Sequence, residues 1–384
     1  MQLFDTDSYL KEFQTMVVSC EKKNEDVWQV VLDQTAFFPE GGGQTSDTGW
    51  LNEIPVVDVR EKAGVIYHEV TAPLEEGTVV SGIIDFPARF DKMQQHTGEH
   101  ILSGIVCATY GYKNVGFHLG EELTTLDFDG ELSKEQAADL EHKANEVIYE
   151  NLPIQVLFPT KEELKELDYR SKIEIEGQVR IVEIPGIDRC ACCAPHVKST
   201  AEVGMVKILS CDRHRGGCRL TIVCGMRALK DYQQKQEAVG KISAALSAKP
   251  EKVAEAVAHL QEQQQSLREQ LNRIQAIYLQ EKLDKISEKD SCVVIFEESL
   301  DSIAMRNFVN GAMERCEGIC GAFIGNDQKG YHYILGSKTA DVREAAKKLN
   351  EKFKGKGGGK PQMIQGSLNG AQEEIQKMLE TVLD

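Results

Sequence analysis

His96 and His100 stand four residues apart in FDKMQQHTGEHILSGIVCATY (90–110), a proline-free run whose apolar positions Met93, Ile101, Leu102 and Ile105 repeat at helical spacing. Residues four apart on a helix project from one face, so the two imidazoles can share a cation. About 90 residues later, Cys192 and His196 repeat the spacing in a turn. One such pair is a weak signal, but two pairs make a candidate four-donor site. Zn2+, a borderline-soft ion, accepts this mixture of imidazole and thiolate in a tetrahedral array, one ion per chain. Cys190 and Cys193 flank Cys192 and could compete as the thiolate. Peptidase chemistry is disfavoured, because the H-E-x-x-H arrangement needs Glu after the first His and Thr97 stands there.

The elements that must position these residues fall into four segments, and together they predict an α+β chain. Residues 1–86 alternate Val- and Ile-rich runs of strand length (13–20, 27–35, 54–60, 64–70 and 78–86) with turns, predicting a small N-terminal β-barrel-like domain. Within it, FFPEGGGQTSDTGW (37–50) carries three adjacent glycines, reading as a hairpin loop or a loop that a ligand approaches closely. Residues 87–225 read as an α+β domain holding the candidate metal site. It has a hairpin over 116–129, a helix opened by Ser133 with Gln136 as a capping box, a strand entering the Cys-rich turn over 177–197, and two later strands. Residues 226–288 predict an antiparallel helical arm broken at Lys249-Pro250. Its seam runs Val253, Val257, Leu260, Gln264, Leu267, Leu271, Ile274 and Tyr278. Residues 289–384 predict a C-terminal α/β domain: three strands, helices near 301–316, 339–353 and 370–383, and the glycine-rich KFKGKGGGKPQMIQG (352–366) between the last two helices.

Composition bounds the chemistry. The 384 residues are 41% hydrophobic and 27% charged, which is ordinary for a soluble globular protein. No run approaches the roughly 18–20 apolar residues that span a bilayer, and MQLFDTDSYLKEF lacks a basic region followed by an apolar core, so a cytoplasmic protein is expected, with no membrane partner. Five of the eleven cysteines lie between Cys190 and Cys218, too irregular for a disulfide scaffold. Sixty-one acidic against 44 basic residues give a net charge of -17, which argues against general affinity for nucleic acid. The charge is segregated, however. Residues 329–361 carry nine basic and three acidic residues, a local +6 that can hold phosphates where glycines let backbone N–H groups approach.

HTGEHIL (96–102) and CCAPHV (192–197) resemble the two metal motifs of the editing domain shared by alanyl-tRNA synthetases and freestanding alanyl-tRNA editing proteins. FFPEGGGQTSDTG (37–49) resembles the family's glycine-rich segment, VGFHLGEELTTLDFD (115–129) its pocket-lining strand pair, and KGKGGGKPQMIQGS (354–367) the glycine-rich loop of the DHH-associated domain. Spanning nearly the whole chain in that order, these segments look most like the long freestanding form. The second motif departs from the family's usual Cys-Gly-Gly-Thr-His. Only about 90 residues precede His96, where a class II aminoacylation domain would need several hundred, so the chain should not charge tRNA.

The resemblance implies a zinc-dependent hydrolase that deacylates tRNA for alanine carrying a wrong amino acid, chiefly serine and secondarily glycine. His118, Thr97, Glu99 and Gln44 are its candidates for catalysis or substrate contact. Arg213, Arg215, Arg219, Lys354, Lys356, Gly357, Gly358, Gly359 and Lys360 are its candidates for tRNA binding. A homodimer through the helical arm or the C-terminal domain is expected. A competing reading is a non-catalytic, zinc-stabilised tRNA-binding or assembly module, since closed tetrahedral sites are common structural devices. A phosphoesterase fails on sequence, because no Asp-His-His motif occurs and Asp212-Arg213-His214 is no substitute.

Overall fold

A computed structural model describes residues 1–171 and 178–381, which form two compact units, Met1–Gly240 and Lys241–Asp384. The first opens with a closed barrel of six antiparallel strands: β1 (Glu12–Lys22), β2 (Trp28–Leu32), β3 (Gly49–Leu51), β4 (Ile54–Lys62), β5 (Val65–Val70) and β6 (Val79–Ile84), in ring order β1-β2-β5-β4-β3-β6. Period-two alternation sends Phe13, Thr15 and Val17 of β1 and Ile66, His68 and Val70 of β5 inward, where they meet Phe37, Phe38 and Val59. The five predicted runs are five of these strands. The sixth, β3, is three residues at the end of the glycine-rich segment, too short for a periodic signal.

Asp85 caps helix α1 (Phe86–Tyr110) by accepting from the Ala88 amide at 3.2 Å, and Gly111 ends it with φ +71. Helix α1 packs with α2 (Lys134–Glu150) against a four-stranded sheet ordered β12-β13-β8-β7. Its strands are β7 (Asn114–Leu119), β8 (Thr124–Phe128), β12 (Val206–His214) and β13 (Gly217–Cys224), and Leu102, Leu126, Leu140 and Leu220 lie between the layers. The Ser133–Gln136 capping box is present. The segment predicted as one strand before the Cys-rich turn is instead a hairpin, β10 (Ile181–Ile184) and β11 (Asp188–Ala191), joined by β9 (Gln155–Leu157) into a three-stranded sheet, with α3 (Lys161–Glu166) between β9 and β10. The start of that predicted strand, Gly177, lies outside the described residues.

Two helices, α4 (Gly225–Leu246) and α5 (Val253–Leu283), flank Pro250, where the sequence places a break. Along α5 the seam residues Leu260, Leu267, Leu271 and Ile274 are all at least half exposed, whereas Leu279 and Leu283 are buried in the core of the second unit.

In that unit, β14 (Cys292–Glu297) pairs in parallel with β15 (Ile319–Asn326) through the crossover helix α6 (Ser302–Met313). The sheet continues antiparallel through β16 (Gly330–Gly336), β18 (Met363–Leu368) and β17 (Lys356–Lys360). Helices α7 (Arg343–Lys352) and α8 (Gln372–Thr381) cover one face with Leu349 and Ile375, and α6 covers the other with Phe308 and Val309. The sheet is therefore mixed, and the glycine-rich stretch between α7 and α8 is a β-hairpin whose outer strand, β17, is exposed throughout. The last residues of the predicted final helix lie outside the described residues. Among the described residues, no helix is long and apolar enough to cross a membrane.

His68 is fully buried in the barrel, its Nδ1 3.1 Å from the Val30 carbonyl oxygen and its Nε2 2.8 Å from the Thr35 hydroxyl. Burial pushes its pKa down to about 4 from an ordinary 6.5. The unfolded chain therefore binds more protons than the native one between those values, so stability falls as pH drops from about 6.5 to about 4, by roughly 3 kcal/mol. Urea unfolding followed by tryptophan fluorescence checks this, because both tryptophans, Trp28 and Trp50, lie on barrel strands. His68→Gln is expected to flatten the profile over that range.

Candidate functional site

The one-face geometry of α1 brings His96 and His100 together, with ring centroids 5.4 Å apart. The turn after β11 delivers His196 to 4.8 Å and 4.5 Å from those two rings, and places Cys192 Sγ 3.6 Å from His96 Nε2 and 3.4 Å from His196 Nε2. Gly104 lets the preceding β10–β11 connection lie close to α1, since a Cβ there would lie 2.4 Å from the Ile187 carbonyl oxygen. One donor atom from each of the four residues lies within 4.8 Å of the others, and all three histidines are buried. In a tetrahedral Zn2+ site with ordinary bond lengths, sulfur and nitrogen donors sit about 3.5 Å apart, so the two sulfur–nitrogen distances already fit.

Each imidazole is oriented from behind. His96 Nδ1 bonds Gln44 Oε1 at 2.8 Å, His100 Nδ1 bonds Asp188 Oδ2 at 2.9 Å, and His196 Nδ1 bonds Thr97 Oγ1 at 3.0 Å. With Nδ1 engaged on all three rings, Nε2 is left as the donor toward the shared point, the usual arrangement around a metal-bound histidine. Asp188 is itself gripped by Arg170, Nε to Oδ1 at 2.6 Å and Nη2 to Oδ2 at 2.8 Å.

Electrostatics distinguish the thiols. Burial opposes the Cys192 thiolate, but the three histidines outweigh it and hold its pKa well below the ordinary value. Burial raises Cys190, and desolvation with the neighbouring Cys192 charge pushes Cys193 up to about 11. Of the three thiols, Cys192 is the one whose surroundings favour the thiolate. Cys190 stands behind it, grouped with His100 and Asp188. Burial and the charge on His100 push His196 down to about 3, leaving it neutral. For His100 burial again acts against the charged form, yet Glu99, Asp188 and Cys192 hold its pKa well above the ordinary range.

The glycine-rich segment closes one side of the site. Gly43 has φ +84, and a Cβ there would lie 2.5 Å from the Phe117 carbonyl oxygen; its own carbonyl accepts from the Leu119 amide at 2.9 Å. This contact lays the loop against β7 and puts Gln44 behind His96. The base of the loop is pinned by the buried pair Asp47 and Arg89: Asp47 accepts from the Phe38 amide at 2.7 Å, and Arg89 also donates to the Ala36 carbonyl. Phe117 packs its ring 4.7 Å from that of His96.

Of the residues singled out for chemistry, Gln44 and Thr97 therefore sit directly behind histidines of the cluster. Glu99 is buried beside the cluster, accepting from Ser103 at 2.9 Å and Asn114 at 2.6 Å, with its other oxygen 3.6 Å from His100 Nε2. His118 is exposed on β7, and among the described residues no hydrogen bond joins it to the cluster; its neighbour Phe117 makes the contact. Arg219 is held by Asp127 at 2.6 and 2.7 Å and Arg213 pairs with Glu131 at 3.3 Å, while Arg215 occupies a tight turn with φ +46. Lys354, Lys356, Gly357, Gly358, Gly359 and Lys360 are all exposed on or beside β17. Sequence reasoning misses Asp188, Arg170 and the Asp47–Arg89 pair. The available signal for Asp188 is its register, two residues before Cys190 on one strand face.

Family models match three parts of the chain: tRNA synthetases class II (A) over residues 7–88, the threonyl and alanyl tRNA synthetase second additional domain over 179–220, and the DHHA1 domain over 289–384. A Xenopus laevis protein named alanyl-tRNA editing protein Aarsd1-B is 29% identical over 98% of this chain and 96% of its own length. Its Rattus norvegicus counterpart, Aarsd1, is 28% identical over 98% and 97%. The alanine–tRNA ligase of Pyrococcus furiosus is 33% identical over 78% of this chain but only 35% of the ligase. With three domain models in this order and relatives of that name aligned along nearly the full length, the chain is similar from end to end to the alanyl-tRNA editing proteins.

Proposed function

We propose that the chain is a zinc-dependent trans-editing hydrolase that cleaves the ester between a wrong amino acid and tRNA for alanine, working in the cytoplasm. The observation that carries this reading is the convergence of the buried His96, His100 and His196 with the half-buried Cys192, each imidazole oriented through Nδ1. These residues would hold one Zn2+ per chain, which supplies a fixed positive charge for the reacting aminoacyl end. Thr97, Gln44 and Asp188 keep the Nδ1 protons in place, and Phe117 and the Gly43 loop exclude bulk water from that side. Serine and glycine are the proposed amino acids removed. An alanine pocket discriminates against one extra hydroxyl or one missing methyl by only about 1–3 kcal/mol, so errors must be removed afterwards. Four protein donors also suit a closed structural zinc site, which would make the chain a tRNA-binding or assembly module.

The hairpin β17–β18, with Lys354, Lys356 and Lys360 around Gly357, Gly358 and Gly359, is the proposed phosphate-binding surface, with Arg213, Arg215 and Arg219 as a second basic group. The exposed row along α5 is the proposed homodimer contact.

Metal analysis is expected to find one zinc per chain. His96→Ala and Cys192→Ala, at equal folded content, should lower deacylation of seryl-tRNA for alanine by roughly a hundredfold or more. Undiminished turnover would remove the metal-site assignment, and an inactive parent would favour the binding module. Replacing Lys354, Lys356 and Lys360 by Gln should reduce the slope of log affinity against log salt for tRNA by about 2–3; an unchanged slope places the phosphates elsewhere. Sedimentation at micromolar concentration should return the dimer mass, and Leu267→Glu with Leu271→Glu should return the monomer. A parent that already sediments as a monomer refutes the contact.

A further inference from the structure

Behind the Cys192–His196 turn lies a buried cation that the proposed chemistry does not use. Arg180, on the approach to β10, is only 7% exposed. Its Nη1 donates to two carbonyls of the turn, Cys192 at 2.8 Å and Ala194 at 3.0 Å, and its own carbonyl accepts from the Cys192 amide at 3.1 Å. Its Nε donates to the Asp5 carbonyl at 3.3 Å. The Asp5 carboxylate stays 3.9 Å away, and among the described residues Nη2 has no hydrogen-bond partner. A buried guanidinium is costly without close charge pairing, and a neutral residue would be the more stable occupant if only volume were needed. What Arg provides is a nitrogen, Nη1, fixed in the guanidinium plane, whose two N–H groups reach two carbonyls from one side. Those carbonyls lie at and two residues beyond Cys192, inside the turn that must present Sγ and the His196 ring to one point. From the other side the turn is held by Ala194, which is fully buried in the barrel core.

We infer that Arg180 is a positioning residue for the second donor pair: its Nη1, donating to the Cys192 and Ala194 carbonyls, holds the backbone of that segment in place. The inference rests on the reading that the four donors hold a metal ion. It also explains how a turn of sequence Cys-Cys-Ala-Pro-His keeps its shape, since the contacts from Arg180 to the turn are to backbone and none depends on the side chains at 193–195.

The test is zinc competition with a chromophoric chelator on the full chain, comparing the parent, Arg180→Met, Arg180→Lys and the control Arg189→Met, whose guanidinium pairs with Glu183 on the same hairpin. Arg180→Met is expected to weaken zinc binding about 10–100-fold, the range for removing a residue that supports a ligand, with helix content unchanged. Arg180→Lys should fall between it and the parent, and Arg189→Met should match the parent. In Co2+-loaded protein the thiolate-to-metal band should weaken in the same order. Parent-like affinity and band in Arg180→Met overturn the inference. If that variant does not fold, parent-like affinity in Arg180→Lys overturns it instead, because an ammonium stands on a shorter stem than Nη1 and carries its N–H groups in tetrahedral rather than planar array. A parent that takes up no zinc, by contrast, removes the metal reading itself and this inference with it.

Discussion

Bringing three buried imidazoles and a half-buried thiol to one point is the constraint on which the first unit depends. Each ring has two nitrogens, and the pocket works only if the same one faces inward on all three. A buried histidine that offers Nε2 must satisfy Nδ1 elsewhere, so the site needs three further polar residues at three independent places in the chain: Gln44 in the glycine-rich loop, Thr97 on α1 and Asp188 on β11. The charges respond accordingly. Left to one another, the four donors settle with Cys192 driven toward thiolate and His100 holding the compensating proton under the influence of Glu99 and Asp188. A divalent ion at the shared point would take the place of that proton.

This requirement accounts for the barrel. Its interior is packed with side chains, so it is not itself a ligand cavity. What it contributes is a rigid frame for the loop between β2 and β3, anchored by Phe37 and Phe38 in the barrel core and by Asp47 on Arg89 at the start of α1. The loop can then press Gly43 against β7 and hold Gln44 against His96. Deleting one partner of the Asp47–Arg89 pair would leave a buried charge, a loss of about 3–5 kcal/mol. The pair thus couples barrel integrity to histidine orientation.

Periodicity and spacing are enough to find the two donor pairs, five of the six barrel strands and the capped helix α2, because each is a local pattern written within a few residues. They are not enough for Asp188, Arg170 or Arg89, whose partners are 18 to 88 residues distant and carry no local signature. The hairpin β17–β18 is illegible for a different reason. Lys-Gly-Gly-Gly-Lys has poor strand propensity, and it is held extended by register pairing with β18 from Lys356–Ser367 to Lys360–Met363. Along α5 the heptad rhythm is readable, but periodicity cannot say what covers a seam, and Leu260 to Ile274 lie open.

A net charge of -17 seems to oppose any polyanionic partner, yet the Debye length at physiological salt is about 8 Å, so an acidic residue several such lengths away barely affects the potential at β17. What matters there is the local complement of lysines and the bare backbone of three successive glycines, which lets a phosphate reach N–H groups on an exposed sheet edge. Arg219, by contrast, already commits two hydrogen bonds to Asp127, and a phosphate would have to displace that carboxylate to reach it. Of the two basic groups proposed to meet phosphate, the hairpin therefore carries the lower desolvation cost.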